Sequence, residues 1–410
     1  MSIPPVRFVP GVHTVEEIES QLANLHVAKK SYVSKSYSSY KELTKFFWEV
    51  YHEIKITDEE IAHKREAMRV LSEYLHRICS DAVLASFGSL ESGFALKHSD
   101  MDLCVLTESL EASEPLAPLF YEELVKEGFE GKFLQKARIP IIKLIGDEKE
   151  RFGSGFQCDI GFNNRLAIHN TKLLSSYSRL DSRFRPLMLL VKYWAKQKRI
   201  NSPYFGTLSS YGYALMLLYY LLHVVKPPVF PNLQQARTKR EKIVEGFDVG
   251  FEENIERFPP SSNVSTLGSL LHGFFRYYAY KFEPRDRVIT FNRQDGVLTK
   301  QEKGWTSATE HTGSADQIIK DRYILAIEDP FETTHNVGRT VSSSGLYRIR
   351  GEFMSAARLI NSRVSGSYKE LFEQAPLPPR RSKKVADETD VPEKEDENNE
   401  NPRKGEIRQA

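Results

Sequence analysis

The 410-residue chain has no long apolar run and few cysteines. No stretch of eighteen apolar residues occurs, which excludes a predicted transmembrane helix, so no membrane partner is expected. The first ten residues, MSIPPVRFVP, contain no apolar segment of the kind that a secretory signal needs. The three cysteines, Cys79, Cys104 and Cys158, form no Cys-x-x-Cys pair, so a zinc module is not expected. We expect them to be small buried side chains of a cytoplasmic protein in a reducing compartment.

The chain also has little excess of positive over negative charge. The formal net charge is only +2 at neutral pH, which excludes binding of nucleic acid through bulk positive charge. A nucleic-acid surface would have to come from local clusters of Lys and Arg. The apolar content of 40% and the charged content of 27% are typical of a globular protein, and the length predicts two or three domains.

The chain does contain an informative motif, FGSLESGFALKHSDMD, which begins at Phe87. Gly88 and Ser89 follow one apolar run, and Asp100 and Asp102 precede another, so both runs are predicted to be strands. Side chains at i and i+2 of a strand point to the same side, so the two carboxylates should project together. Like charges repel unless a cation lies between them, and hard oxygen ligands suit Mg²⁺. The Gly-Ser turn offers backbone N–H groups and a hydroxyl to a phosphate.

This pattern resembles the nucleotidyltransferase superfamily of DNA polymerase beta, in which Gly-Ser, a spacer and Asp-x-Asp follow one another. The resemblance implies a third carboxylate on a neighbouring strand, and Asp159 in the alternating segment QCDIGF fits that place. A lone strand aspartate is more often a turn or cap residue. Three carboxylates in this order favour a site in which Asp100, Asp102 and Asp159 are catalytic and bind metal. The implied cofactor is Mg²⁺, for which Mn²⁺ should substitute.

Three segments of the second half carry a closer resemblance. They are SPYFGTLSSYGYALMLLYYL at 202–221, LGSLLHGFFRYYA at 267–279 and IEDPFETTHNVGR at 327–339. They resemble the helix start and the two halves of the associated region in terminal nucleotidyltransferases related to poly(A) polymerases. Over about residues 40–375 the chain is similar to the terminal uridylyltransferases of the caffeine-induced-death suppressor group.

The fold class expected is α+β, with a polymerase-beta-like mixed-sheet catalytic domain, a mostly helical poly(A)-polymerase-associated domain and a cleft between them. The predicted domains are a flexible arm at 1–36, a helix at 37–56 that packs on the helical domain, the catalytic domain at 57–190, the helical domain at 191–375 and a disordered tail at 376–410. A capping box at Thr57 predicts the start of a helix, and strands are predicted at 131–138 and 139–144. After these strands, the apolar periodicity predicts helices at 170–177, 183–198, 209–225 and 267–280.

The resemblance implies a set of nucleotide-binding residues: Gly88, Ser89, Asn164, Ala167, Asn170, Thr171, Lys192, Lys196, Ser210, Tyr211, Asp329, Glu332, His335 and Arg339. Serine and lysine side chains are implied to hold the triphosphate, Tyr211 to stack on the base and His335 to read uracil. From the residues alone, simpler interpretations stay open. Ser89 and Asn164 suit helix caps, the lysine pair suits a solvated helix face and Tyr211 suits packing.

Five basic residues are candidates for holding RNA: Lys132, Lys136, Arg138, Arg276 and Lys281. The last two lie in the aromatic-rich sequence FFRYYAYKF, and basic residues among aromatics suit a single-stranded backbone. Ordinary solvated side chains are an equally good interpretation of any single one. RNA binding should be salt-sensitive and largely independent of sequence.

The function predicted is template-independent addition of UMP from UTP to single-stranded RNA 3′ ends by two-metal-ion catalysis, with some use of ATP. The protein is expected to act as a monomer. Poly(A) addition is the main alternative, because the phosphate-binding residues are shared and only base contacts differ. A small-molecule nucleotidyltransferase would not need the long helical half. A catalytically inactive RNA-binding scaffold would not need all three carboxylates.

Overall fold

A computed structural model describes residues 40–108, 115–135, 140–147, 151–153, 155–312, 318–362, 364 and 366–376, without the side chains at 310–312 and 318–320. The predicted arm at 1–36 and the predicted tail beyond residue 376 lie outside this range. The described helices and strands all belong to one compact unit that ends at Gln374. Among the described helices, none is long and apolar enough to cross a membrane.

Five strands of the first half form one mixed sheet. They are β1 (Val83–Phe87), β2 (Met101–Leu106), β3 (Phe129–Leu134), β4 (Ile141–Asp147) and β5 (Cys158–Phe162), in the order β1-β2-β5-β4-β3. Strands β2 and β5 are parallel, and every other neighbouring pair is antiparallel. Alternating apolar residues such as Leu103, Ile142 and Ile160 are buried, because one face of each strand packs on the core.

Ten α-helices accompany the sheet within the described residues. They are α1 (residues 40–54), α2 (Asp58–Ile78), α3 (Gly88–Ser92), α4 (Leu116–Lys126), α5 (Arg165–Leu180), α6 (Phe184–Gln197), α7 (Ser210–Tyr219), α8 (Leu267–Tyr280), α9 (Lys300–Lys303) and α10 (Ser343–Ile360). Helix α7 continues as a π-helical turn, Tyr220–Val224. Three pairs of short strands complete the second half: β6 (Ile243–Val244) with β7 (Phe247–Asp248), β8 (Val288–Ile289) with β11 (Ala326–Ile327), and β9 (Thr309–Thr312) with β10 (Ile318–Asp321).

Two large hydrophobic cores support these elements. Helix α2 buries Ala67, Leu71 and Leu75 against the sheet, and the predicted capping box opens it, since Thr57 and Glu60 exchange hydrogen bonds. The second core joins α1 to α5, α6, α7, α8 and α10, with Trp194 at its centre. The mixed α/β fold is therefore confirmed, whereas the domain boundaries stay predictions.

Several element boundaries differ from the predicted ones. Strand β3 begins at Phe129 instead of residue 131, and β4 runs to Asp147 instead of residue 144. Helix α5 begins at Arg165, five residues before the predicted start, because Asn164 caps it by accepting a hydrogen bond from the Ala167 amide at 3.3 Å. Helix α10 was not predicted at all.

Candidate active site

The Gly-Ser turn is held in place by a threonine of α5. The Gly88 amide donates to Thr171 Oγ1 at 2.9 Å, and the same hydroxyl donates to the Ala167 carbonyl at 2.8 Å. Gly88 has φ +71°, and a Cβ at this position would lie 2.2 Å from Asp102 Oδ2. Glycine is therefore required both for the backbone conformation and for the close approach of the carboxylate.

The strand register places the predicted carboxylates side by side. Asp102 on β2 pairs with Phe87 at the end of β1 on one side and with Asp159 on β5 on the other. Burial, with the nearby charges of Asp100 and Asp159, raises the pKa of Asp102 to about 6, against the opposing effects of Lys192 and the Ser89 amide. A divalent cation among these carboxylates would relieve that repulsion.

Asp159 is paired with a lysine that the sequence reasoning missed. Lys143 on β4 lies opposite Asp159 in the register, and its Nζ is 2.5 Å from Asp159 Oδ2. Within the described part of the chain, no three His, Cys, Asp or Glu side chains are grouped closely enough to enclose a metal ion. Mg²⁺ is usually held by one or two carboxylates together with substrate phosphates, so Asp100 and Asp102 fit such an ion without a closed protein cage.

The two predicted phosphate-binding lysines differ in environment. Lys192 is only 6% exposed because α6 is buried along most of its length, and its Nζ donates to the Phe94 carbonyl at 3.3 Å. Burial and the neighbouring Lys196 lower the pKa of Lys192 to about 8, although Asp100 and Asp102 oppose that shift. An anionic triphosphate would favour the charged form of this lysine.

The Gly-Ser turn, two of the three carboxylates and both lysines line one cavity of about 500 Å³, a size typical of small-molecule sites, whereas Asp159 and Lys143 are not part of its lining. The cavity collects the predicted residues Gly88, Ser89, Asp100, Asp102, Ala167, Asn170, Thr171, Lys192, Lys196, Ser210 and Tyr211. Asn201, which was not predicted, also lines it and donates to Ser210 Oγ at 2.8 Å.

The predicted base-reading loop contacts two residues of the cavity lining, Tyr211 and Asn170, through Asp329, which does not itself line the cavity. Its Oδ2 accepts from Tyr211 OH at 2.9 Å and from Asn170 Nδ2 at 3.1 Å. Its Oδ1 accepts from the amides of Phe331 and Glu332, both at 3.0 Å. Burial raises the pKa of Asp329, although these hydrogen bonds favour the ionised form. The carboxylate uses all four of its acceptor positions inside the protein, so it fixes the orientation of Tyr211 and Asn170.

Other predicted residues lie outside the cavity lining. The His335 carbonyl accepts from the Asp329 amide at 3.1 Å, which ties the histidine to the same loop as Glu332. Arg339 Nη1 lies 3.5 Å from Asp321 Oδ1. Asn164 is the cap of α5 described above.

The predicted RNA residues are exposed wherever the structure describes them. Lys132 lies on β3 opposite Lys143, and Arg276 and Lys281 lie at the end of α8. Lys136 and Arg138 lie outside the described residues.

The chain matches two family models, several related sequences and solved structures. A family model described as the central palm domain of mitochondrial-like poly(A) RNA polymerase matches residues 43–179, and one described as Cid1 family poly A polymerase matches residues 266–335. Terminal uridylyltransferase Cid1 of Schizosaccharomyces pombe is 68% identical over 95% of this chain and 96% of that protein.

Two further relatives are more distant. Poly(A) RNA polymerase cid11 of the same yeast is 32% identical over 78% of this chain and 63% of that protein. Human terminal uridylyltransferase 7 is 32% identical over 77% of this chain and 20% of that protein. A solved structure of Cid1, described in terms of its RNA terminal uridylyl transferase activity, has a TM-score of 0.80 and 71% identity, and it covers 83% of this chain and 100% of that one. The chain belongs to the Cid1 family of poly(A)-polymerase-like nucleotidyltransferases.

Proposed function

We infer that the protein adds UMP from UTP to the 3′ end of RNA without a template. One observation carries the chemistry: Asp102 lies in register between Asp159 and the strand end that leads into the Gly88–Ser89 turn. This arrangement puts paired carboxylates next to a phosphate-binding turn in one cavity. Cid1, the 68% identical relative, is a terminal uridylyltransferase, and structures of it are described with a UTP analogue and with the short product ApU.

The residues have separate tasks in this reaction. Lys192 and Lys196 neutralise the triphosphate, and Ser89 donates to it from the turn after β1. Asp100 and Asp102 would hold two Mg²⁺ ions, of which one would lower the pKa of the RNA 3′-hydroxyl and the other would stabilise the triphosphate and the departing pyrophosphate. Asp159 carries the negative charge on the primer side. The RNA 3′-oxygen bonds to the α-phosphorus while the bond to pyrophosphate breaks, so the protein mainly positions an in-line attack.

Support for Mg²⁺ and for the finer assignments comes from the relatives. Cid1 structures are described with MgGTP bound and, for a mutant, with MgATP bound, and a solved structure that is 70% identical to this chain is described as a cytoplasmic RNA terminal U-transferase. We propose the same ion, with Mn²⁺ as a substitute, and the same compartment.

Base choice is the step at which a poly(A) polymerase would differ. Uracil presents an N3–H donor with O2 and O4 acceptors, whereas adenine presents an amino donor and a larger ring. Because Asp329 is fully engaged by the protein, we assign it to holding Tyr211 and Asn170 against the base. His335, tied to the Asp329 backbone, is then the candidate donor to O4. Unmatched buried hydrogen bonds discriminate strongly, while shape alone gives roughly 1–3 kcal/mol.

The test is extension of a short RNA with each of the four nucleotides separately, followed by kcat/KM for UTP and ATP. The native protein should prefer UTP and use some ATP. His335→Ala should lower the UTP-to-ATP ratio without abolishing transfer, since the phosphate contacts remain. His76→Ala, an exposed histidine on α2, is the matched control. A native preference for ATP would assign the protein to the poly(A) polymerases, and an unchanged ratio in His335→Ala would remove that residue from base reading.

A further inference from the structure

A second cavity, of about 380 Å³, lies behind the turn that forms the nucleotide site. Its lining includes Ser92 and Gly93 at the end of α3, with residues from α2, β2, α5 and α6. Ser92 also lines the nucleotide cavity. The two cavities are therefore neighbours on opposite sides of one five-residue helix.

The second cavity is strongly cationic. Lys64, Arg65, Arg179 and Arg185 line it, whereas its single carboxylate, Glu91, is exposed. None of the four cations forms an ion pair with a carboxylate anywhere in the described residues. Lys64 is also attracted by the charges of Glu60, Asp100 and Asp102, but the three arginines have no such partner among the described ion pairs. Cations that converge on one cavity repel each other, so an anion bound there would be stabilised.

The hydrogen-bond capacity of these groups is mostly unused. Arg185 Nε is buried without a hydrogen-bond partner among the described residues. Arg179 makes one long contact, from Nη2 to Ser176 Oγ at 3.4 Å. Lys64 uses one donor on the Ser99 carbonyl at 2.5 Å. A buried N–H without a partner costs free energy, and a planar guanidinium suits the paired oxygens of a phosphate.

We propose that this cavity binds a compact phosphate anion, inorganic phosphate or pyrophosphate. The cavity is walled by several elements, which favours a small anion over a length of nucleic-acid backbone. Binding there would act on the nucleotide site through Ser92. The Ser92 hydroxyl donates to the Gly88 carbonyl at 2.8 Å and lies 3.4 Å from the Ser89 carbonyl oxygen. The proposal does not depend on which nucleotide the enzyme transfers.

The test is calorimetric titration of inorganic pyrophosphate in chelator-containing buffer. The background is Lys196→Ala, which weakens binding in the nucleotide cavity. Adding Arg179→Gln and Arg185→Gln should weaken the remaining binding at least about tenfold, because two charged donors to the anion are lost. Arg69→Gln with Arg293→Gln removes the same charge from exposed surface ion pairs and should leave the affinity within about twofold. Equal weakening in both pairs would overturn the proposal.

A second measurement uses the native protein and therefore does not depend on whether a variant folds. Pyrophosphate should slow modification of Arg179 and Arg185 by an arginine-directed reagent, followed by peptide mass spectrometry, and should leave Arg69 unaffected. A short single-stranded oligoribonucleotide serves as the competing ligand. Protection by RNA without protection by phosphate or pyrophosphate would assign the cavity to the RNA backbone and overturn the proposal.

Discussion

Replacing Asp102 by Asn should make the metal-free protein more stable at pH 7.5, although the same change should abolish transfer. The folded protein raises the pKa of this carboxyl from 3.8 to about 6, chiefly through burial. The unfolded chain therefore binds fewer protons than the folded protein between these values, and stability falls as the pH rises through that window. Above pH 6 the buried charge costs up to about 3 kcal/mol, at about 1.4 kcal/mol per pKa unit.

The Asn side chain keeps the shape of Asp102 and removes this cost. Because the variant also loses attraction to Lys192, we expect a net gain of about 1–3 kcal/mol in the free energy of unfolding at pH 7.5 and roughly half as much at pH 5. Urea unfolding with chelator, followed by fluorescence of the three tryptophans, measures both values. Adding Mn²⁺ should stabilise the native protein more than the variant.

Asp81→Asn, at an exposed position before β1, is the control and should change stability by less than about 0.5 kcal/mol. A gain that is the same at pH 5 and pH 7.5 would refute the reasoning, because it would not come from titration of this carboxyl. No gain at pH 7.5 would refute it as well.

Three further changes test neighbouring parts of the site. Gly88→Ala should lower the rate of primer extension at least about 100-fold, since its Cβ would meet Asp102 at 2.2 Å and φ is positive; a near-native rate would contradict this. Lys143→Met should tighten Mn²⁺ binding, measured by electron paramagnetic resonance, because Nζ no longer competes for Asp159; weaker binding would contradict it. Lys132→Ala should reduce the slope of log Kd for RNA against log salt by about one phosphate contact, whatever the RNA sequence, and an unchanged slope would remove Lys132 from the RNA path.

Local patterns predicted the elements that carry the chemistry. The helix at 267–280 has the predicted bounds, because a Thr cap and a strong apolar stripe mark it in the sequence. Asp102 and Asp159 were expected on neighbouring strands, and the register places them directly opposite each other. The helix is determined by residues that are close in sequence, and the pair of aspartates is implied by a motif with fixed spacing.

Contacts between distant residues were not predictable in the same way. Helix α10 has buried residues at Ile349, Phe353 and Ile360, but charged residues between them obscure the apolar stripe, and its packing partner is α8. The sequence gives one local indication of the role of Lys143, which is its position as the only charged residue of the apolar segment IIKLIG. Only the strand order, which places β4 next to β5, shows that it meets Asp159.

The base end of the cavity depends on the same kind of long-range contact. Asp329 is 159 positions from Asn170 and 118 from Tyr211, yet its carboxylate holds both side chains. The next residue towards the N-terminus, Glu328, is buried and bonded to Thr290 and Lys303, so two consecutive carboxylates anchor the start of the loop. A loop fixed in this way keeps its backbone when a side chain such as His335 changes. Base preference can therefore differ between related enzymes while the carboxylates and the phosphate turn stay the same.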